Sequence, residues 1–199
     1  KVEDATHLYR RILASQAEGS VTMVSVGHLT NVAKLLESKP DEVSPLTGKE
    51  LVSKKVKYWV AMLGEGMNWN MRWDRMASET AINECPVPIV FTAEGQEVKT
   101  GRLTQELLDN NPIKTVYRIW EKHYDEIDRS SWDQISTLYA VQGETDLFRL
   151  ETGTLTFSQE AGAEWKSEAH GEDFRLYNTV SNEEMAGIIE DLMIRTPAK

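Results

Sequence analysis

Three short runs of apolar, largely β-branched residues stand out in the first half of the chain. They are Val21 to Val26, Val56 to Met62 and Val87 to Thr92, and each is followed by a turn that contains glycine. Between them, apolar residues recur at helical spacing near Leu29 to Glu37 and Trp73 to Glu84. Because strands and helices alternate, the pattern predicts an α/β fold with a Rossmann-like, mainly parallel sheet flanked by helices.

The second half begins with two further helical patterns. One is predicted from Ile113 to Ile127, with Val116, Tyr117 and Trp120 on its apolar face, and the other from Trp132 to Gln142. An apolar face of this kind is expected to pack on the sheet.

The tail, residues 150–199, has a different pattern. Gly153 to Phe157, Gly162 and Trp165 predict a small hairpin. Ser181 to Glu184 has the spacing of a capping box and should open a helix that closes the domain. No low-complexity linker interrupts the chain, so residues 1–199 are predicted to form a single domain.

The beginning of the chain shows helical spacing almost from the first residue, at Val2, Ala5, Tyr9, Ile12 and Leu13. This spacing predicts a packed helix with no strand before it. We therefore expect the sheet to show an unpaired edge or a groove. The expected partner of that edge is a missing N-terminal segment, or a second copy of the chain in a homo-oligomer.

Composition narrows the classes of partner. The 199 residues carry 22 Lys and Arg against 32 Asp and Glu, a formal net charge of −10. Such a surface repels phosphate backbones and anionic lipid, which disfavours nucleic acid and membrane as partners. No apolar run approaches the ~20 residues that a membrane span needs. The single cysteine, Cys85, excludes a disulfide framework within the chain.

Polar residues follow two of the predicted strands and open a later helix. Thr30 follows the first strand, Asn68 and Asn70 follow the second, and Trp132 and Asp133 open the helix. Parallel strands end at one edge of a sheet, where ligands bind, so the turn after the first strand is a candidate binding site. A structural interpretation stays open for each: Thr30 and Asp133 as helix caps, the asparagines as turn residues and Trp132 as core.

These segments, in this order, resemble landmarks of the inosine-uridine-preferring nucleoside hydrolase family. The resemblance covers most of the chain and is strongest from Glu3 to Gly143. Ser131-Trp132-Asp133-Gln134 is similar to a divergent bacterial and fungal branch of that family. The segments that carry the resemblance are Val21 to Ala33, Met62 to Gly64, Asn68 to Asn70 with Asp74, and Trp132 to Asp133.

The resemblance implies a hydrolase acting on N-glycosyl bonds, in which a Ca²⁺ ion activates the water that attacks a nucleoside or related riboside. The Thr30 carbonyl and the Asp133 carboxylate match the family's metal ligands, and oxygen ligands of both kinds suit this hard cation. Asn70, Asn68 and Trp132 match positions that bind the substrate. Relatives of this branch are often exported, which favours a periplasmic or secreted location.

The departures from the family pattern are as important as the matches. Nothing here matches the family's Asp-rich first strand, so the general base is expected in a segment absent from this chain. Asn68 replaces a common glutamate, and Trp132 replaces the histidine that assists the departing base. Two function classes therefore stay open: an N-ribosyl hydrolase, and a non-catalytic protein that kept the fold and a pocket for a ribose-like diol.

Overall fold

A computed structural model describes residues 2–121 and 128–195 of the chain. Helices and strands alternate through the first half, and strands predominate in the tail before a final helix. In chain order the elements are α1 (Ala5–Ser15), β1 (Val21–Ser25), α2 (Thr30–Glu37), α3 (Gly48–Lys55), β2 (Val56–Met62), α4 (Trp69–Arg72), α5 (Arg75–Asn83), β3 (Ile89–Thr92), β4 (Lys99–Thr100), a 3₁₀ turn (Arg102–Glu106), α6 (Pro112–Glu121), β5 (Arg129–Ser130), α7 (Trp132–Gln142), β6 (Phe148–Ser158), β7 (Gly162–Ser167), β8 (Asp173–Asn178) and α8 (Asn182–Ile194).

Six of the strands form one mixed sheet in the order β1-β2-β3-β8-β6-β7. The first four strands in this order are parallel, while β6 runs antiparallel to both β8 and β7. The predicted α/β fold with a mostly parallel sheet flanked by helices is confirmed at this level. The predicted hairpin is β6 and β7, and the predicted closing helix is α8, which Ser181 caps by accepting a hydrogen bond from the Glu184 N–H.

Some predicted boundaries were wrong for identifiable reasons. The third strand begins at Ile89 and not at Val87, because Pro86 and Pro88 have no N–H to donate to a ladder. The helix predicted from Trp73 to Glu84 begins only after Asp74, whose carboxylate accepts the Ala77 N–H and caps α5. The helix predicted from Ile113 is α6, and the predicted part at residues 122–127 lies outside the described residues.

The core has two layers because alternate residues of β2 and β3 point to opposite faces of the sheet. Trp59 and Phe91 belong to the layer under α2 and α5, whereas Val60 and Val90 belong to the layer under α7 and α8. All four side chains are at most 2% exposed. Coverage on both faces explains why apolar residues follow one another without polar alternation from Trp59 to Ala61 and from Ile89 to Phe91.

The first helix packs differently from the sequence prediction. Leu13 is buried, but Val2, Tyr9 and Ile12 are exposed. The buried polar residue is Arg10, whose guanidinium donates to the Asp41 carboxylate at 2.7 and 2.9 Å. Periodicity located the helix, but it could not reveal that an arginine lies on the inward face.

Strand β1 pairs only with β2 among the described residues, so its other side is an unpaired edge of the sheet. A groove of about 800 Å³, which we call the edge groove, runs along it and is lined partly by Tyr9, Ile12 and Leu13 of α1. Val24, on β1, is 41% exposed. The expected unpaired edge is therefore present. In the described ranges, none of the helices has the length and apolar content of a membrane span.

Candidate functional site

A cavity of about 660 Å³ opens where β1, β2 and β3 end, and we call it the strand-end cavity. Segments following these three strands meet the beginnings of α4 and α7 there. It adjoins the edge groove, because Val26, Trp69 and Asn70 line both. The lining residues are Val26, Met62, Leu63, Gly64, Asn68, Trp69, Asn70, Ala93, Gln96, Trp120, Arg129, Trp132 and Asp133.

The cavity brings together Asn68, Asn70, Trp132 and Asp133, which are four of the five site residues suggested by the sequence. Thr30 is not among the residues that line it. It is the first residue of α2, and its hydroxyl donates to the Asp74 carboxylate at 2.8 Å. A metal-ligand role for the Thr30 carbonyl stays a prediction.

The two asparagines line the cavity at the beginning of α4. The Asn68 Oδ1 accepts the Asn70 N–H at 3.0 Å, so Asn68 does serve as a helix cap. Asn70 is buried, and its Nδ2 donates to the Met62 carbonyl at 3.1 Å. These hydrogen bonds fix both amides at the end of β2, where amide groups can donate to and accept from ligand hydroxyls.

The beginning of α7 forms another side of the cavity, and buried Ser131 holds it in place. The Ser131 N–H donates to the Gly95 carbonyl at 3.0 Å, and its hydroxyl lies 2.7 Å from the Thr100 hydroxyl. Gly95 has a φ of +117°, and a Cβ there would lie 2.7 Å from the Trp132 backbone nitrogen. The turn after β3 can therefore approach α7 this closely only with glycine at position 95.

A second support comes from the far end of the chain. Glu190 on α8 is buried, and its carboxylate accepts the Gly101 N–H at 2.7 Å and the Leu103 N–H at 3.3 Å. These two hydrogen bonds fix the segment that follows Thr100. Because the Thr100 hydroxyl contacts the Ser131 hydroxyl, they also help to hold the beginning of α7 in place. Sequence reasoning missed Gly95, Ser131 and Glu190 as supports, because their contacts join distant parts of the chain.

Asp133 lies in the first turn of α7, exposed at the mouth of the cavity. Desolvation on its cavity side raises the pKa of the carboxyl, and the nearby positive charge of Arg129 opposes this rise only in part. A perturbed carboxyl in a cleft is a common feature of functional sites.

Three tryptophans also line the cavity. Trp69 and Trp120 are 60% and 62% exposed, and the Arg129 guanidinium lies 4.4 Å from the centre of the Trp120 ring. The prediction that Val116 and Trp120 belong to a packed helix face was wrong, since both are exposed and only Tyr117 of that set is buried. Spacing identified the apolar face of α6 but not whether the sheet would cover it.

The oxygen donors of the cavity are too few for the Ca²⁺ ion expected from the sequence. Calcium takes about six to eight oxygen ligands, usually including several carboxylates. Asp133 is the one acidic side chain among the lining residues, and the described parts of the chain contain no group of three His, Cys, Asp or Glu side chains placed to hold a metal. The described residues alone therefore do not fit a Ca²⁺ site.

The arrangement suits a small polyhydroxylated ligand that also carries an apolar, planar part. Neither a protein-family model nor a curated protein matches this chain.

Proposed function

We propose that the strand-end cavity binds the ribose of a nucleoside or related riboside and that the protein hydrolyses its N-glycosidic bond. One observation carries the proposal. Two segments about sixty residues apart, at Asn68 to Asn70 and at Trp132 to Asp133, line the same cavity at the ends of parallel strands. These are the segments whose sequence resembles the nucleoside hydrolase family, and the mostly parallel α/β sheet suits the fold of that family.

The polar residues have complementary roles in this proposal. The amides of Asn68 and Asn70 bind the ribose hydroxyls, because an amide offers both donors and an acceptor. Asp133 is the one lining carboxylate, and its raised pKa makes it better able to accept a proton than an aspartate with the ordinary pKa.

In the hydrolysis, the oxygen of water forms a bond to the anomeric carbon, and the bond from that carbon to the base nitrogen breaks. The electron pair of the broken bond stays on the base. Among the described lining residues, Asp133 is the carboxylate that can take up a proton from the attacking water, in place of the general base expected in another segment, and the departing base receives a proton from solvent. The indole of Trp132 donates only through its N–H and is not an acid, so purine nucleosides should be poorer substrates than ribosides with an activated aryl leaving group.

Calcium stays in the hypothesis as a prediction about the Asp133 carboxylate and the Thr30 carbonyl. If Ca²⁺ binds here, Asp133 is the one carboxylate that the lining residues can supply, and the described residues contain no group of three His, Cys, Asp or Glu side chains that could complete the site. When bound, such an ion would hold the sugar hydroxyls and polarise water.

A second candidate function is ribose or diol binding without catalysis. The observation that favours it is the single carboxylate among the lining residues, because most glycoside hydrolases use a pair of carboxyl groups. The fold and the asparagines would be the same in both cases. The two candidates differ only in whether sugar is released.

Measuring binding and sugar release on the same samples separates the candidates. Inosine, uridine and 4-nitrophenyl riboside would be titrated by calorimetry with and without Ca²⁺, and free ribose would be measured after incubation. Asp133→Ala should abolish ribose release and reduce any Ca²⁺ binding. Asp128→Ala is the matched control, since Asp128 is a nearby acid paired with Arg102 and does not line the cavity.

Ribose release that requires Asp133 but not Asp128 would support the hydrolase. Binding that is lost in Asn70→Ala, with no release from any riboside, would support the binding protein. If no riboside binds, or if Asp133→Ala behaves like Asp128→Ala, the hydrolase proposal is wrong.

A further inference from the structure

We propose that Trp69, Arg72, Trp73 and Met76 form a docking surface for a partner protein. The part of the partner that binds is a segment with an aspartate or glutamate beside apolar side chains. We call these four residues the α4 surface, because they lie in α4, directly after it and in the first turn of α5. Of the four, only Trp69 lines the strand-end cavity, so docking here does not depend on the proposed hydrolysis.

The α4 surface exposes several large apolar side chains together. Trp69 and Trp73 are 60% and 59% exposed, and Met76 is 72% exposed. The two indole rings pack edge-on, with 5.3 Å between their centres. Apolar side chains that are exposed as a group mark a site of interaction, and Trp, Met and Arg are the residue types enriched at protein–protein interfaces.

Arg72 determines the charge that the partner should carry. Its guanidinium lies 4.0 Å from the centre of the Trp69 ring and 5.1 Å from that of the Trp73 ring. Among the described residues no carboxylate pairs with it, and the nearby Asp74 carboxylate accepts the Thr30 hydroxyl. Indole rings cannot accept the strong hydrogen bonds that a guanidinium donates, so exposed Arg72 can still bind a carboxylate of the partner in bidentate geometry.

The inner side of α4 holds this surface in place. Asn70 and Met71 are buried between the exposed residues of the α4 surface. The Asn70 Nδ2 donates to the Met62 carbonyl, and the Ser78 hydroxyl on α5 donates to the Met71 carbonyl at 3.1 Å. These contacts fix α4 against β2 and α5 before a partner arrives, so less conformational entropy is lost on docking.

The charge of the whole chain favours a polypeptide segment over a nucleic acid as the occupant. Exposed tryptophans beside an arginine also suit a single-stranded nucleic acid, whose bases stack on indole rings. A nucleic acid carries a phosphate charge at every nucleotide, however, and a protein with a net charge of −10 repels such a chain. A segment with one carboxylate among apolar side chains pairs with Arg72 and adds little repulsion elsewhere.

The test is a selection of peptides from a random library displayed on phage, with the full chain as the target. The library is first depleted on the Arg72→Ala variant, which removes the peptides that bind elsewhere on the chain. The peptides that remain should combine Asp or Glu with Trp, Phe or Leu. Their affinity for the native chain, measured by fluorescence anisotropy, should fall about tenfold or more in Arg72→Ala and in Trp73→Ala.

Arg102→Ala is the matched control, since Arg102 is also an exposed arginine but pairs with Asp128 and is not part of the α4 surface. It should leave peptide affinity unchanged. Arg72→Lys should restore part of the affinity, because lysine keeps the charge but not the bidentate geometry. Each variant should keep the native circular dichroism spectrum, as expected for substitutions of exposed side chains.

Several results would overturn the proposal. It is wrong if no peptide remains after depletion, if the remaining peptides are neutral or basic, or if Arg102→Ala weakens their binding as much as Arg72→Ala. Tighter binding of a single-stranded oligonucleotide, lost in Arg72→Ala, would identify a nucleic acid as the occupant instead. Self-association that Arg72→Ala abolishes would identify a second copy of the chain.

Discussion

Arg10 is a single residue that fixes a helix to the loop after α2. Its guanidinium is 1% exposed and donates to the Asp41 carboxylate, the Ser38 hydroxyl and the carbonyls of Ser44 and Leu46. All three nitrogens of the buried group therefore donate to an acceptor. Removing one of these partners would leave part of a buried charge uncompensated, which costs several kcal/mol.

This ion pair predicts a pH dependence of stability. The Arg10 hydrogen bonds hold the pKa of Asp41 at about 2, below its ordinary value of 3.8. Because the pKa is lowered on folding, the stabilisation is complete above about pH 4 and is lost as the pH falls towards 2. Urea unfolding between pH 5 and 2 should show a steep fall that Asp41→Asn reduces.

Asp109→Asn is a suitable control, since Asp109 is an exposed acid that also pairs with basic residues. The pKa of Asp109 is lowered by Lys114 and Arg118, but the Asp109 side chain is 86% exposed, whereas that of Asp41 is 23% exposed. If the stability of Asp41→Asn falls as steeply towards pH 2 as that of the native protein, the Arg10–Asp41 pair is not the cause of the pH dependence.

The order and spacing of short segments identified much of the candidate site in advance. Asn68, Asn70, Trp132 and Asp133 were named because their segments resemble landmarks of the nucleoside hydrolase family, and all four line the cavity. Trp120 could not be assigned to the cavity, because its spacing is the same whether its helix face is covered or exposed. That distinction depends on the sheet, which lies elsewhere in the sequence.

At the scale of elements, the turn after β3 sets the position of α7. Gly95→Ala should destabilise the protein by roughly 2 to 4 kcal/mol, because the new methyl group would meet the α7 backbone at 2.7 Å and the φ of +117° is unfavourable for alanine. Chemical denaturation measures the loss. Riboside affinity should fall as well, since Trp132 and Asp133 would shift.

Gly27→Ala is the matched change, because Gly27 also lies in a turn after a strand and no atom lies within 4 Å of a Cβ built there. It should have a small effect on stability. Similar losses in the two variants would show that close approach to α7 is not the reason for glycine at position 95.

The elements that the sequence located best are the ones with continuous apolar runs. Strand β8 was missed because Asp173, Arg175 and Asn178 interrupt its apolar residues, a pattern that also suits a surface loop. Its place between β3 and β6 depends on distant contacts: the Asp173 carboxylate accepts the N–H groups of Ile89 and Leu155. Such pairings between strands far apart in sequence leave little local signal.

For the whole molecule, the unpaired edge of β1 and the acidic surface have opposite effects on association between copies of the chain. An exposed strand edge favours pairing between copies, while a net charge of −10 repels them. Salt screens the repulsion, with a Debye length of about 10 Å at 0.1 M and 3 Å at 1 M. We therefore expect sedimentation to show self-association that increases with salt.

Val24→Lys should suppress this association, because it places a charge on the exposed edge. Val141→Lys is the control, as Val141 is 80% exposed at the end of α7 and outside the edge groove. If the protein stays monomeric at every salt concentration, the β1 edge is excluded as the contact. It is also excluded if Val24→Lys and Val141→Lys reduce the self-association equally.

The Glu190 support has a consequence for how the protein folds. The bond from the Gly101 N–H to the Glu190 carboxylate joins residues 89 positions apart, so it forms only after a long loop has closed. Helices and the early parallel strands can form while this loop is still open. During refolding, secondary structure should therefore return before the cavity wall at α7 is fixed, and the ability to bind ligand should be among the last properties to recover.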